Sequence, residues 1–309
     1  MEERNHSSVT SFILLGLTTD TRLQLLLFMV FTFAYITTLL CNITLIAVIC
    51  HSSRLHTPMD FFTGNLSFLD LWYSCVYTPK ILLNCISEDK STSFAGCAAQ
   101  FFVSGGLACT ESYLLAAMAY DRYVAISNPL LHAAAMTKKL CIGLVATSYL
   151  SGFANSTLIA SYTFTPSFCD SNVIDDFFCD LLPLVKLSCD VTDSYQSLLY
   201  FILTFNTILP SALILRSYVS ISVVILRMCS TEGQCKAFST SATHFTTITL
   251  CYGSILCTRP SSSYVLERDK VVSVLYMVVT PMLNPFIYSL RSQEVKEALK
   301  TLLKRQTAS

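Results

Sequence analysis

Charge is scarce in this chain. Only 13% of its 309 residues are Asp, Glu, Lys or Arg, about half the ~25% that a water-soluble domain carries. The 20 basic residues are cancelled by 20 acidic ones, so no global positive field exists to gather nucleic acid, and none is expected as a partner. Gly and Pro occur only nine times each, which excludes collagen-like and low-complexity chains. Gly-rich phosphate loops, metal-spaced His and Cys clusters and Ser–His–Asp signatures are also missing, so there is no catalytic chemistry to assign. What is abundant is apolar: 53% of residues are hydrophobic and the mean hydropathy is +0.56. The class left standing is an all-α polytopic membrane protein.

A spanning helix needs about 20 mainly apolar residues, because lipid offers the backbone no hydrogen-bond partners. Seven such stretches are read, at 25–50, 59–86, 97–126, 140–162, 198–228, 238–258 and 271–290. Polar residues make the second, third, sixth and seventh weaker by hydropathy than the other three. Residues 1–24 form an N-terminal tail, 163–197 a long acidic loop and 291–309 a C-terminal tail. The short apolar run at 11–17 lacks a basic flank and is a poor signal peptide.

Lys and Arg placement sets the orientation. With the C-terminus in the cytoplasm, that side collects Arg122, Lys138, Lys139, Arg227 and Lys236 together with the basic tail, as the positive-inside bias requires. The N-terminus is then extracellular, which makes Asn5 of Asn5-His6-Ser7 a glycosylation acceptor. Three other sequons, at Asn42, Asn65 and Asn155, fall inside spans, out of a glycosyltransferase's reach. Of 14 Cys, Cys97, Cys169, Cys179 and Cys189 stand on the oxidising face, where four thiols can pair in three ways. In the tail, Val295, Ala298, Leu299, Leu302 and Leu303 form one apolar stripe opposite Lys296, Lys300 and Lys304, the pattern of a short helix lying along the inner membrane surface.

Ionisable groups inside spans carry the functional signal, because lipid penalises each by at least ~2.5 kcal/mol. Asp70 and Glu111 fall mid-span in the second and third stretches. Two carboxylates sharing a dry interior need a cation such as Na⁺ between them, or a proton on one. Asp121-Arg122-Tyr123 ends the third stretch, where a carboxylate and a guanidinium can pair and release at the interface. Asn284-Pro285-Phe286-Ile287-Tyr288, with Pro281 before it, describes a bent seventh helix with freed carbonyls.

Together these pieces resemble a rhodopsin-type (class A) G-protein-coupled receptor, and more closely an odorant (olfactory) receptor of the tetrapod-type (class II) branch. The similarity covers almost the whole chain. It is carried by Leu55-His56-Thr57-Pro58-Met59, by Met118-Ala119-Tyr120-Asp121-Arg122-Tyr123-Val124-Ala125-Ile126, by Ser217-Tyr218, by Lys236-Ala237-Phe238-Ser239-Thr240 and by Pro281-Met282-Leu283-Asn284-Pro285-Phe286-Ile287-Tyr288. The chain departs from the family pattern at Cys41, Asp60, Ser127, Ser241 and Arg216, the last an unexpected charge in the fifth span.

The resemblance implies a seven-helix bundle in the plasma membrane, with disulfides Cys97–Cys179 and Cys169–Cys189 and a sodium-type site at Asp70 and Glu111. It implies a switch formed by Asp121, Arg122, Tyr123, Tyr218, His244, Asn284, Pro285 and Tyr288, read by a heterotrimeric G protein that raises cyclic AMP. No other cofactor is implied. Depth in such a bundle points to Ser104, Gly105, Ala108, Cys109, Ile202, Asn206, Tyr252, Ile255, Leu256, Arg259 and Ser273 as pocket candidates. That mostly apolar set suits a small volatile odorant with one polar handle. A different class, an ion-coupled transporter using Asp70 and Glu111, would show repeated halves with matching broken helices, and neither is visible.

Overall fold

The computed structural model of the chain describes residues 9–18, 20–52, 55–166, 168, 172–188, 193–228, 230–257, 274–289, 295 and 297. Its helices begin where short polar side chains can satisfy the first free N–H groups. Helix α1, Thr21–His51, starts at Asp20, whose side chain accepts from Arg22 N at 2.8 Å. Helix α2, Pro58–Ile86, has Pro58 in its first turn and a reciprocal cap. Thr57 Oγ1 accepts from Asp60 N at 3.2 Å, and the Asp60 carboxylate takes the Thr57 N–H (3.3 Å) and hydroxyl (2.5 Å) in return. The departure at Asp60 thus has a local purpose, a capping box that fixes the entry to α2.

Helix α3, Phe94–Ser127, is capped by Ser93 and is the central element, packing on α2 and on four later helices. A short α4, Pro129–Ala135, turns the chain into α5, Lys138–Phe164. The long 163–197 loop holds α6, Leu181–Leu187, and the first residues of α7, Asp193–Arg227; α8, Thr231–Cys257, follows. The last described unit is a π-helical turn, Leu275–Val279, running into α9, Thr280–Ser289. Pro281 has no N–H for the carbonyl one turn back, and the helix widens just before it. Asn42 Nδ2 on α1 donates to the Pro281 carbonyl at 3.0 Å, tying the distorted turn to the bundle.

Among the described residues, helix covers 25–50, 59–86, 97–126, 140–162, 198–227, 238–257 and 274–289. Four helices among the described residues are both long and apolar enough to cross a bilayer by length and composition: Thr21–His51, Phe94–Ser127, Lys138–Phe164 and Ser197–Arg227. The third stretch, expected to be weak, is among them. The interior has an apolar core, but large apolar side chains also face outward and ionisable ones lie buried, unlike in a soluble protein. Phe33 is 71% exposed and Leu226 79%, while Asn42, Asp70, Glu111, Asp121 and Asn284 are all at most 4% exposed. Apolar side chains outside and polar ones inside is the arrangement that a hydrocarbon solvent selects.

The run at 11–17 has a role that hydropathy did not suggest. Ser11–Leu14 is strand β1, antiparallel to β2 (Ser91–Ser93) and parallel to β3 (Val173–Ile174). Alternation along β1 buries Phe12 and Leu14 completely. Phe12 meets Phe168 edge-on at 5.4 Å and Phe94 at 6.0 Å between ring centroids. The Cys97–Cys179 disulfide joins the start of α3 to the outer loop within the same cluster. This cap sits over the end of the bundle opposite α4.

Candidate functional site

Two buried carboxylates organise the interior. Asn284 on α9 donates Nδ2 to both oxygens of Asp70 on α2, at 3.2 and 3.0 Å. Tyr276, in the π-helical turn, donates its hydroxyl to Glu111 Oε2 on α3 at 2.7 Å. Asp70 and Glu111 are neighbours in this interior, and the Cys251 thiol of α8 lies beside Glu111. The buried Oδ1 atoms of Asn284 and Asn42 have no hydrogen-bond partner among the described residues. Two carboxylates with the Asn284 amide oxygen beside Asp70 form a hard-oxygen donor set of the kind an alkali cation takes. Among the described residues no three His, Cys, Asp or Glu side chains gather at one point, so the donor set does not suit zinc.

At the opposite end of α3, Asp121 and Arg122 face different ways, since neighbours on a helix lie about 100° apart. Asp121 does not pair with Arg122. Its Oδ1 is 2.8 Å from His132 Nε2 on α4, and the carboxylate is 1% exposed. Arg122 turns toward Tyr218, His244 and Tyr288, and its Nε is buried without a partner. Tyr218 Oη of α7 and His244 Nδ1 of α8 share a hydrogen bond of 2.8 Å, with their rings stacked 6.0 Å apart. The hydroxyl of Tyr288 is buried near Thr247 without a fully formed hydrogen bond. The guanidinium therefore sits at a junction of α3, α7, α8 and α9, while Tyr123 flanks it, half-buried.

The pocket candidates separate by what they touch. Ser104 is buried and donates to Phe101 O at 3.0 Å, while its own carbonyl accepts from Tyr73 Oη at 3.2 Å. Gly105 faces α5: a Cβ there would lie 2.9 Å from Ser156 Oγ, so this position serves helix packing. Ala108 and Cys109 are half-buried on α3. Asn206 on α7 is buried, donates to Ile202 O at 2.9 Å and takes the Tyr113 hydroxyl at 3.4 Å. The Tyr252 hydroxyl lies beside Ser112 and Ser211 without a fully formed hydrogen bond. Asn206, Tyr113, Ser112 and Tyr252 thus bring polar atoms of α3, α7 and α8 into one region. The side chains of Ile255 and Leu256 lie outside the described residues, as do Asn5, Cys169, Cys189, Arg259, Ser273 and all of the tail helix but Val295 and Glu297.

Sequence reasoning missed Tyr276, Asn42 and His132. Tyr276 could have been found, because Tyr276, Thr280 and Asn284 recur every fourth residue and place a polar stripe on one helical face. His132 left no such signal, since it reaches Asp121 only through the turn of α4.

A helical bundle that exposes its apolar side chains and keeps carboxylates, amides and an arginine for its own interior is an integral membrane protein with a polar core connecting its two ends. Residues 31–306 match the family model described as olfactory receptor. Over 305 residues, the chain is 61% identical to human olfactory receptor 9G1, covering 98% of this chain and all of that one. Against mouse olfactory receptor 9G19 it is 60% identical over 304 residues, with the same coverage. The chain belongs to the olfactory receptor family, within the class A G-protein-coupled receptors. It is a multi-pass membrane receptor rather than an enzyme.

Proposed function

We propose that this receptor is an odorant detector with seven spans in the plasma membrane, its N-terminus extracellular and its C-terminus cytoplasmic. Small, mostly apolar volatile molecules bind in the outer half of the bundle, near Ala108, Cys109, Ile202, Asn206 and Tyr252, with Ser104, Ile255, Leu256, Arg259 and Ser273 around them. A stimulatory heterotrimeric G protein reads the opposite end and raises cyclic AMP. Glycosylation at Asn5 and a second outer disulfide, Cys169–Cys189, complete the outer face.

One observation carries the reading. Buried polar pairs recur along the bundle, from the Tyr252 region through Glu111–Tyr276 and Asp70–Asn284 to Arg122 and the Tyr218–His244 pair. A ligand shifts an equilibrium only by its differential affinity for two states. Movement of α8 against α3 would break the Tyr218–His244 bond and free Arg122 to meet an incoming G-protein tail, with the distorted segment around Pro281 and Pro285 bending alongside. Asp70, Glu111 and Asn284 are the residues that would hold a sodium ion, which supplies positive charge against their paired carboxylates.

The test is a cyclic AMP reporter screen against a chemically diverse odorant panel. Arg122→Ala is expected to abolish responses at unchanged surface expression. Full signalling from that variant would overturn the switch.

A further inference from the structure

The family match leaves one charged residue without a task. Arg216 stands on the exposed face of α7, with no ion pair or hydrogen bond among the described residues. It lies eleven positions before Arg227, about 16 Å along the helix from the end of α7. Its Cβ tilts toward the helix N-terminus, away from that end, so the side chain starts out directed into the hydrocarbon. The carboxylates on neighbouring α3 are engaged elsewhere, Asp121 by His132 and Glu111 by Tyr276.

Arg216 borders a cavity of about 550 Å³ between α3, α5 and α7, within the size range of small-molecule sites. It holds none of the outer pocket candidates. Ala116, Leu144 and Leu213 give it apolar walls. Ser151 and Ser220 add hydroxyls that have no bond among the described residues, whereas Ser217 and Ser148 already donate to their own helices. Leu213 is 45% exposed and Tyr120, also on the wall, 44%, so the cavity opens onto the lipid-facing surface.

From this geometry we infer that the α3–α5–α7 cavity is a second ligand site, one that takes a long-chain fatty acid from the inner leaflet. The carboxylate docks on Arg216, with Ser151 and Ser220 as further donors, and the acyl chain fills the Leu144–Leu213 groove. A guanidinium offers a carboxylate two parallel N–H bonds. Depth selects the single-chain acid. The headgroup of a two-chain anionic phospholipid stays at the interface, whereas a fatty acid can sink to the level of Arg216.

The test uses the full receptor in phosphatidylcholine nanodiscs and a palmitic acid bearing a diazirine and an alkyne. Photolabelled peptides are expected to map to α3, α5 and α7. Oleic acid should compete and oleyl alcohol should not. Arg216→Gln should cut labelling at these helices tenfold or more, with Arg216→Lys keeping most of it. Equal competition by the alcohol overturns the proposal on the native protein alone, without need of a variant. Labelling unaffected by Arg216→Gln, or displaced more strongly by phosphatidylserine than by oleic acid, overturns it as well.

Discussion

Two glycines on α5 make a controlled experiment. A Cβ at Gly152 would sit 2.7 Å from the Gly106 carbonyl oxygen and 2.8 Å from the Thr110 nitrogen, with Thr110 Oγ1 closer still. Two of these three atoms are backbone and cannot rotate aside, so Gly152→Ala must push α5 from α3. At Gly143 on the same helix nothing lies within 4 Å. Both substitutions gain the same helix propensity, about 1 kcal/mol, so the difference between them isolates the steric term. Overpacking of this kind costs about 1–3 kcal/mol, or roughly 5- to 150-fold in the folding equilibrium. Size-exclusion profiles of fluorescently tagged receptor after a thermal challenge should show Gly152→Ala lost at lower temperature than wild type, and Gly143→Ala at the same or higher. Glu111 follows Thr110 directly, so the displacement should also weaken signalling in surviving receptor. If Gly152→Ala survives heating as well as Gly143→Ala, the close approach of α3 and α5 described above is wrong.

Other perturbations follow from the same geometry. Removing His132 strips Asp121 of the side-chain partner it has among the described residues, and a hydrogen bond to a charged group is worth about 1.5–3 kcal/mol. His132→Ala should raise ligand-free cyclic AMP several-fold and His132→Tyr, which keeps a donor, should not; equal basal signals would refute the clamp. Cys97→Ser opens a link spanning 82 residues of sequence, for which the chain-entropy relation gives about 4.5 kcal/mol. Flow cytometry of intact cells should find little such receptor at the surface. Tyr276→Phe leaves Glu111 without its phenolic donor, and Asp70→Asn removes half the carboxylate pair. Both should flatten the rise in melting temperature that wild-type receptor is expected to show when sodium replaces choline in the buffer. A sodium response that survives both changes would remove the cation from the account.

Much of the architecture was legible because lipid imposes a simple rule: apolar runs of sufficient length become helices, and their ends fall where caps such as Asp20, Thr57, Ser93 and Thr137 stand. The carboxylates were legible for the converse reason, since nothing but a buried partner makes Asp70 or Glu111 tolerable in hydrocarbon. Which partner each found was not. Tyr276 meets Glu111 across 165 positions and Asn284 meets Asp70 across 214, and pairings that distant depend on how helices rotate. Asp121 shows the limit most clearly. Its sequence neighbour Arg122 suggested an ion pair, yet helical geometry sent the two side chains to different helices. The strand at Ser11–Leu14 escaped notice because its partners are only three and two residues long and supply no periodicity of their own.

That strand also imposes an order on biogenesis. β1 leaves the ribosome first, but it lies between β2 and β3, and its register with Val173 and Ile174 cannot be read until most of the helices have been threaded into the membrane. β1 can pair with β2 once two helices are made, but its other edge stays open until Val173 and Ile174 emerge, and closing that edge completes the three-stranded cap.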